Sequence, residues 1–411
     1  MSKKRQKGFR SGLAAAARAP VALVAVALVA AALVAVALLG MSSPPGLSQQ
    51  TPAGGFLTAR PGYQYRFPRD HAAHPGLKTE WWYYSGHLKA NTGERFGFQL
   101  TFFRSGLRPP AKRGGAGASS PKSRWAVRDL YFAHFAVSDH GRKVFHFDER
   151  MSRGSLGAAG ADTERYRVWL GDWRAEAVGA EKGSPHRLNA EGAKYAIDLT
   201  VRPQKPPVIH GLDGTSRKGA GSTQASHYYS LTRMDVRGNL RVIEGRKTRE
   251  LAVTGTAWMD HEFGSSQLEK DQVGWDWFSF QLENGSEVML YLMRRKDGTA
   301  DPYSSGTWID RDGKGVHLDR KSFRVEVLDT WKSRKSGATY PIRWRVRIPS
   351  RRATLRVEPV FPEQEMDTAK STKVTYWEGS VRIRGKVDGE TVRGVGFVEM
   401  TGYAGPFRKK I

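Results

Sequence analysis

"GWDWFSFQLENGSEVMLYLMR", residues 274–294, sets the fold class of this chain. Two runs of aromatic and aliphatic residues flank Asn284-Gly285, a strong hairpin signal. Alternation sorts the first run into two faces. Asp276 falls with Phe278, Phe280 and Leu282, whereas Trp275 and Trp277 fall with Ser279 and Gln281. The same period of two recurs in "ERFGFQLTFFR" (94–104). There Phe96, Phe98, Leu100 and Phe102 share one side, and Arg95, Gln99 and Thr101 the other, the pattern of a half-buried strand. Further turns fall at Asp297-Gly298, Asp312-Gly313 and Asp388-Gly389. No long stretch beyond residue 60 has helical periodicity. The chain therefore reads as all-β, built as barrels or sandwiches and not from βαβ units. Segments 105–124 and 211–226 are basic and glycine-rich and read as mobile loops.

The 411 residues are enough for more than one domain, and 12 Trp, 14 Tyr and 18 Phe supply bulk suited to strands. Cysteine is absent, which excludes disulfides, thiolate metal sites, a cysteine nucleophile and a lipoprotein's acylated cysteine. The N-terminus is basic through Lys3, Lys4, Arg5, Lys7, Arg10 and Arg18, and an apolar run follows from Pro20 to Gly40. A secretory core is about 7–15 residues long and a spanning helix needs about 20, so cleaved signal peptide and retained membrane anchor both stay open over 1–42. Either places the rest outside the cytoplasm, periplasmic or extracellular. Residues 43–60, rich in Pro, Gly, Ser and Gln, read as a flexible linker. The formal charge of +26 suits a membrane surface. In "VRIRGK" and "IRWRVRI" the positives alternate as the solvent faces of strands do. No nucleic-acid-binding signature accompanies them, and export makes nucleic acid an unsuitable partner.

His261-Glu262 lacks the second His of a zincin motif, since position 265 is Ser, so no metal site is expected there. No G-x-S-x-G elbow and no dinucleotide or P-loop fingerprint occurs, and no cofactor is expected. What remains is carboxylates among aromatics. In "GTAWMDHEFG" (255–264), extended backbone puts Trp258, Asp260 and Glu262 on one face and Met259, His261 and Phe263 on the other. In "TEWWYYSGHL" (79–88), Glu80 shares a face with Trp82 and Tyr84. A carboxyl on an apolar face must be paired, hydrogen-bonded or protonated, and desolvation raises its pKa toward that of a neutral-pH acid. Each such group has an ordinary structural use as well, tying down a strand edge or an arginine.

Together "KTEWWYYSGHL", "GTAWMDHEFGS", "GWDWFSFQLENGSEVMLYLMR" and "YWEGSVRIRG…GFVEMTGY" resemble the AttH/carotenoid 1,2-hydratase family, whose exported bacterial members are labelled predicted secreted hydrolases. The resemblance runs from about residue 61 to 403. It implies two packed lipocalin-like β-barrel domains, 61–265 and 266–411, with a ligand cavity near their junction. It also implies cofactor-free hydration of a carbon–carbon double bond, or transport of a hydrophobic molecule or lipid in association with an ABC transporter. The export segment, basic surface and long loops depart from the pigment enzymes. On this reading Asp276 is the candidate acid, and Asp260 or Glu262, oriented by His261, holds the water. Glu80 is a further catalytic candidate. Trp82, Tyr84, Trp258, Trp275 and Trp277 form the substrate cage, where indole faces stabilise a developing cation. A non-catalytic carrier is the alternative.

Overall fold

The computed structural model describes residues 55–110, 127–221, 223–265 and 268–406. The expected leader and most of the linker lie outside them. Among the described residues no helix is long and apolar enough to cross a membrane. Phe56 and Ala59, expected within the flexible linker, are instead buried, and Leu57 N–H donates to Gly76 O at 2.8 Å.

The described chain is almost wholly β. The first sheet opens with β1 (Thr79–Ala90), β2 (Arg95–Gly106), β3 (Asp129–Asp139) and β4 (Val144–Ser152). Short strands follow as β5 (Ala159–Ala161), β6 (Arg167–Leu170), β7 (Trp173–Ala177), β8 (His186–Glu191) and β9 (Tyr195–Pro203). It closes with β10 (Val208–Ile209), β11 (Ser216–Arg217) and the long pair β12 (Ala225–Glu244) and β13 (Lys247–Gly264). The second sheet holds β14 (Gln272–Leu282), β15 (Glu287–Arg295), β16 (Ser305–Ile309), β17 (Gly315–Leu318) and β18 (Arg324–Lys332). It continues through β19 (Thr339–Ile348), β20 (Ala353–Pro359), β21 (Glu365–Asp367), β22 (Thr375–Val387) and β23 (Glu390–Thr401).

All pairings are antiparallel. The first sheet runs β4-β3-β2-β1-β13-β12-β9-β8-β7-β6-β5 and forms a nearly closed barrel. The second runs β17-β16-β15-β14-β23-β22-β20-β19-β18 and curves into a half-barrel. In each sheet the first long strand pairs with the last, β1 with β13 and β14 with β23, which draws distant sequence into one ladder. The turns read from sequence are present, with positive φ at Gly285, Gly298, Gly313 and the Asp388-Gly389 pair.

The barrel interior is filled. Trp82, Tyr84, Phe96, Phe98, Phe102 and Trp173 pack there with aliphatic residues from β1, β2, β3, β9, β12 and β13, among others. The outer face of β2 is not the solvent face that its polarity suggested: Gln99 and Thr101 are 1% exposed. The second sheet covers it. Gly97 permits that approach, because a Cβ there would lie 2.9 Å from the Cβ of Ser380. The basic strands behave as read: Arg343, Arg347, Arg382, Arg384 and Lys386 are exposed, while Trp344, Val346, Val381 and Ile383 face the half-barrel core.

Candidate functional site

A large open volume lies outside the barrel core, between the two sheets. A cavity of about 660 Å³ is lined by Trp81 and Tyr83 of β1, Asp260 and Glu262 of β13, Trp275 and Trp277 of β14, and Glu399 of β23, among others. Strand alternation explains the set. Each of these strands turns one face to its own core and the other to the neighbouring sheet. Tyr83, Tyr228, Trp258, Trp277 and Tyr291 form an aromatic cluster drawn from both sheets. Trp277 Nε1–H donates to Tyr228 Oη across the junction at 3.0 Å.

Asp260 is held by neutral donors. Trp258 Nε1–H reaches Oδ1 at 2.6 Å, Tyr228 O–H reaches Oδ2 at 2.9 Å, and the Ser230 hydroxyl donates to Oδ1. Burial pushes its pKa up to about 7; the three hydrogen bonds oppose the rise and nearby Glu262 adds to it. Two residues along, Glu262 accepts from the Ser226 hydroxyl and pairs with Lys218 Nζ at 3.3 Å. Burial works against the charge on Lys218, but Glu262 outweighs it and holds the ammonium above its ordinary range. Lys218 also lies 3.9 Å from the Tyr291 ring centroid. It comes from the 211–226 segment, read as a mobile loop. The structure corrects that expectation: β11 pairs with β12, Ser216 is buried, and Lys218 reaches the cavity.

The inner face of the same strand carries a different centre. His261 Nε2 lies 2.9 Å from Glu80 Oε1, and His74 Nδ1 lies 2.8 Å from that same oxygen. Arg104 Nε–H donates to Oε2 at 3.1 Å and its Nη1 pairs with Asp129 at 2.9 Å. Burial would raise the Glu80 pKa, but His261, His74 and Arg104 overcome it and hold the carboxyl well below its usual range. The His261 pKa is lowered as well, here because burial outweighs Glu80. His74, Glu80 and His261 bring one ligand-type atom each within 4.8 Å of one another. Their lone pairs and protons are already committed to one another, and the guanidinium beside them is a poor neighbour for a cation. The donor set fits an ion-paired network, and a metal does not fit it.

The sequence-read candidates thus divide. Asp260, Glu262, Trp258, Trp275 and Trp277 meet at the junction, as their shared faces implied. His261 does not orient Asp260 or Glu262, because it points into the barrel and stacks on Trp82 at 4.9 Å. Trp82 and Tyr84 belong to the barrel core. Trp82 Nε1–H donates to His71 O at 3.0 Å, and the Tyr84 hydroxyl meets those of Tyr166 and His186 Nδ1 at 2.7 and 2.8 Å. Glu80 borders the cavity but is fully buried in its network. Asp276 is raised by burial, the direction expected of it, yet it faces the half-barrel core. There it accepts from Arg294 Nε at 2.9 Å and Tyr403 Oη at 3.1 Å. Tyr228, Ser230, Lys218, Trp81, Tyr83, Glu378 and Glu399 were not read from sequence as site residues. Glu378 and Glu399 stood inside the family motifs, and alternation past Trp377 and Met400, which face the core, would have pointed them outward.

Fold and site together define a two-sheet, lipocalin-like protein with an acidic, aromatic junction cavity. The chain belongs to the AttH-like family, which matches residues 58–403. It is similar to the solved AttH structure from Nitrosomonas europaea, at 31% identity and a TM-score of 0.72 over 84% of this chain and 99% of that one. It shares its fold with kievitone hydratase from Nectria haematococca, at 15% identity and a TM-score of 0.63 over 86% of this chain and 98% of that one. The dehydratase asqC of Emericella nidulans is 21% identical over 55% of this chain; the match spans 63% of that relative's length.

Proposed function

We propose that this protein is an exported, hydratase-like enzyme that binds a hydrophobic alkene, isoprenoid or lipid in character, in the junction cavity and adds water to it by carboxyl acid–base chemistry. The observation that carries the reading is Asp260, a cavity-lining carboxyl held by Trp258, Tyr228 and Ser230 with a pKa of about 7. An acid poised near the working pH is what protonation of an alkene carbon needs. The cavity volume falls in the range of about 300–1,000 Å³ common to small-molecule sites.

In the forward direction the Asp260 proton goes to one alkene carbon, and the π pair becomes the new C–H bond. The cation left on the other carbon sits among the faces of Trp81, Tyr83, Trp275 and Trp277, an attraction of about 0.5–2 kcal/mol per well-placed ring. Water oxygen adds to that carbon, and its surplus proton passes to a cavity carboxylate. Glu262, fixed by Lys218 and Ser226, stands beside Asp260 on the same wall. Dehydration is the same path reversed.

The test is turnover of isoprenoid alkenes by the full chain in isotopically labelled water. Incorporation of label into an alcohol is expected. Asp260→Asn should lower turnover about 10²–10⁴-fold while the alkene still quenches tryptophan fluorescence. Tight binding without turnover, equal in both proteins, would favour the carrier reading, to which the aromatic lining is equally suited. The basic leader and apolar run support export, with the inner membrane or an ABC transporter as neighbours. Recovery of a carboxy-terminally tagged chain in the cytosolic fraction would refute that part.

A further inference from the structure

The half-barrel wall of the cavity holds a second carboxyl pair. Glu378 of β22 and Glu399 of β23 are direct cross-strand partners, so their side chains leave the sheet on one face, toward the first barrel. Glu399 lines the cavity and accepts Trp275 Nε1–H at 2.6 Å. Glu378 is fully buried and accepts Tyr83 O–H at 2.6 Å, which ties β22 to β1. A hydrogen bond links the two carboxyls to each other, and Glu378 Oε2 meets no further donor among the described residues. Among the described residues no lysine or arginine is paired with either group; the neighbours that act on them are Tyr83 from β1, Glu262 from β13, Trp275 from β14 and each other.

Two adjacent buried carboxyls with no cation paired to either among the described residues cannot both be charged, and the pair keeps a proton. Burial and Glu399 drive Glu378 well above the carboxylate range, against the Tyr83 hydrogen bond. Burial brings Glu399 to about 7, with Trp275 and Glu378 opposing and Glu262 adding to the rise. Glu378 therefore keeps the proton and Glu399 is the member that exchanges near neutrality. Asp260 and Glu262 stand on the other wall, and one Glu262 oxygen is already engaged by both Lys218 and Ser226.

Building on the hydratase reading above, we propose that Glu399 is the catalytic base that takes the proton from the attacking water, with Glu378 as its positioning residue. Acid and base then act from opposite sheets, and hydrogen and hydroxyl enter opposite faces of the double bond. The water oxygen forms the C–O bond, its O–H pair stays on oxygen, and the proton moves to Glu399. Asp260 is left ionised, and exchange with solvent after product release moves the proton from Glu399 back to Asp260. Net, one water is added. A base on the Glu262 wall would instead give addition to one face.

The probe is farnesol, either of whose two internal double bonds yields two new stereocentres on hydration in heavy water. Full-length protein should give the anti product. Glu399→Gln should lower kcat about 10²-fold or more, with KM and farnesol quenching little changed. Glu378→Gln should shift the acidic limb of the kcat profile to higher pH, because an amide is a weaker donor than the protonated carboxyl whose hydrogen bond favours an ionised Glu399; a purely structural residue would not move that limb. A syn product, or full turnover in Glu399→Gln when Asp260→Asn is inactive, overturns the assignment and leaves the hydratase reading standing. No turnover of isoprenoid alkenes by the wild-type chain defeats both. Should Glu399→Gln fail to fold, an unshifted profile in Glu378→Gln is sufficient to overturn the proposal.

Discussion

Strand β13 serves two centres of opposite character. On its inner face, His261 joins Glu80, His74 and Arg104 in a network built on the Glu80–Arg104 ion pair. On its outer face, Asp260 meets only an indole, a phenol and a hydroxyl. Both carboxyls are desolvated. Glu80 is driven well below its ordinary pKa and Asp260 up to about 7. The nature of the partners decides the outcome: a guanidinium and two imidazoles stabilise the anion, whereas neutral donors offset only part of the cost of burial. The first arrangement fixes a fold. The second leaves a proton available.

The comparison breaks most sharply at Glu80. Glu80→Ala strands Arg104 and His74 in the barrel wall, and chemical denaturation should register a loss of about 3–5 kcal/mol, the cost of halving a buried ion pair. A loss well under that range would mean the network is dispensable.

The pH dependence of stability should carry opposite signs at the two centres. Glu80 has its folded pKa below its ordinary value of 4.5, so its contribution is complete above that value and lost as acid approaches the folded pKa. Asp260 has its folded pKa at about 7 against an ordinary value of 3.8. Between those values the folded chain holds a proton that the unfolded chain has released, so its contribution falls as pH rises through that window. Asp260→Asn should flatten that decline in thermal melts taken across the window. An unchanged slope would show that Asp260 ionises normally.

Asp276 sharpens the contrast at smaller amplitude. It is buried like Asp260 but sits on the core face with Arg294 and Tyr403. Asp276→Asn should cost about 1–3 kcal/mol of stability and leave turnover unchanged. Lost turnover in a folded Asp276→Asn protein would put the reacting centre inside the half-barrel.

Much of the site was legible as parity. Trp258, Asp260 and Glu262 on one face, His261 on the other, and Trp275 and Trp277 opposite Asp276 follow from the period of two. What parity could not supply was which face borders a core and which borders the other sheet. Both are apolar in β1, β13 and β14, because a strand between two layers is buried twice. Asp276 was therefore credited with the cavity, and Trp82 and Tyr84 with the cage, when all three face filled cores. Lys218 escaped notice because its segment has the composition of a loop, and pairing of only two residues in β11 is enough to place it.

The sequence by itself determined the strands, their turns and the side of each strand on which every residue stands, because backbone alternation and positive-φ turns are local properties. Only the tertiary structure decided which carboxyls are charged. Tyr83 and Glu378 are 295 positions apart, His261 and Glu80 181, and burial and compensating charge arrive together only when the sheets close on one another.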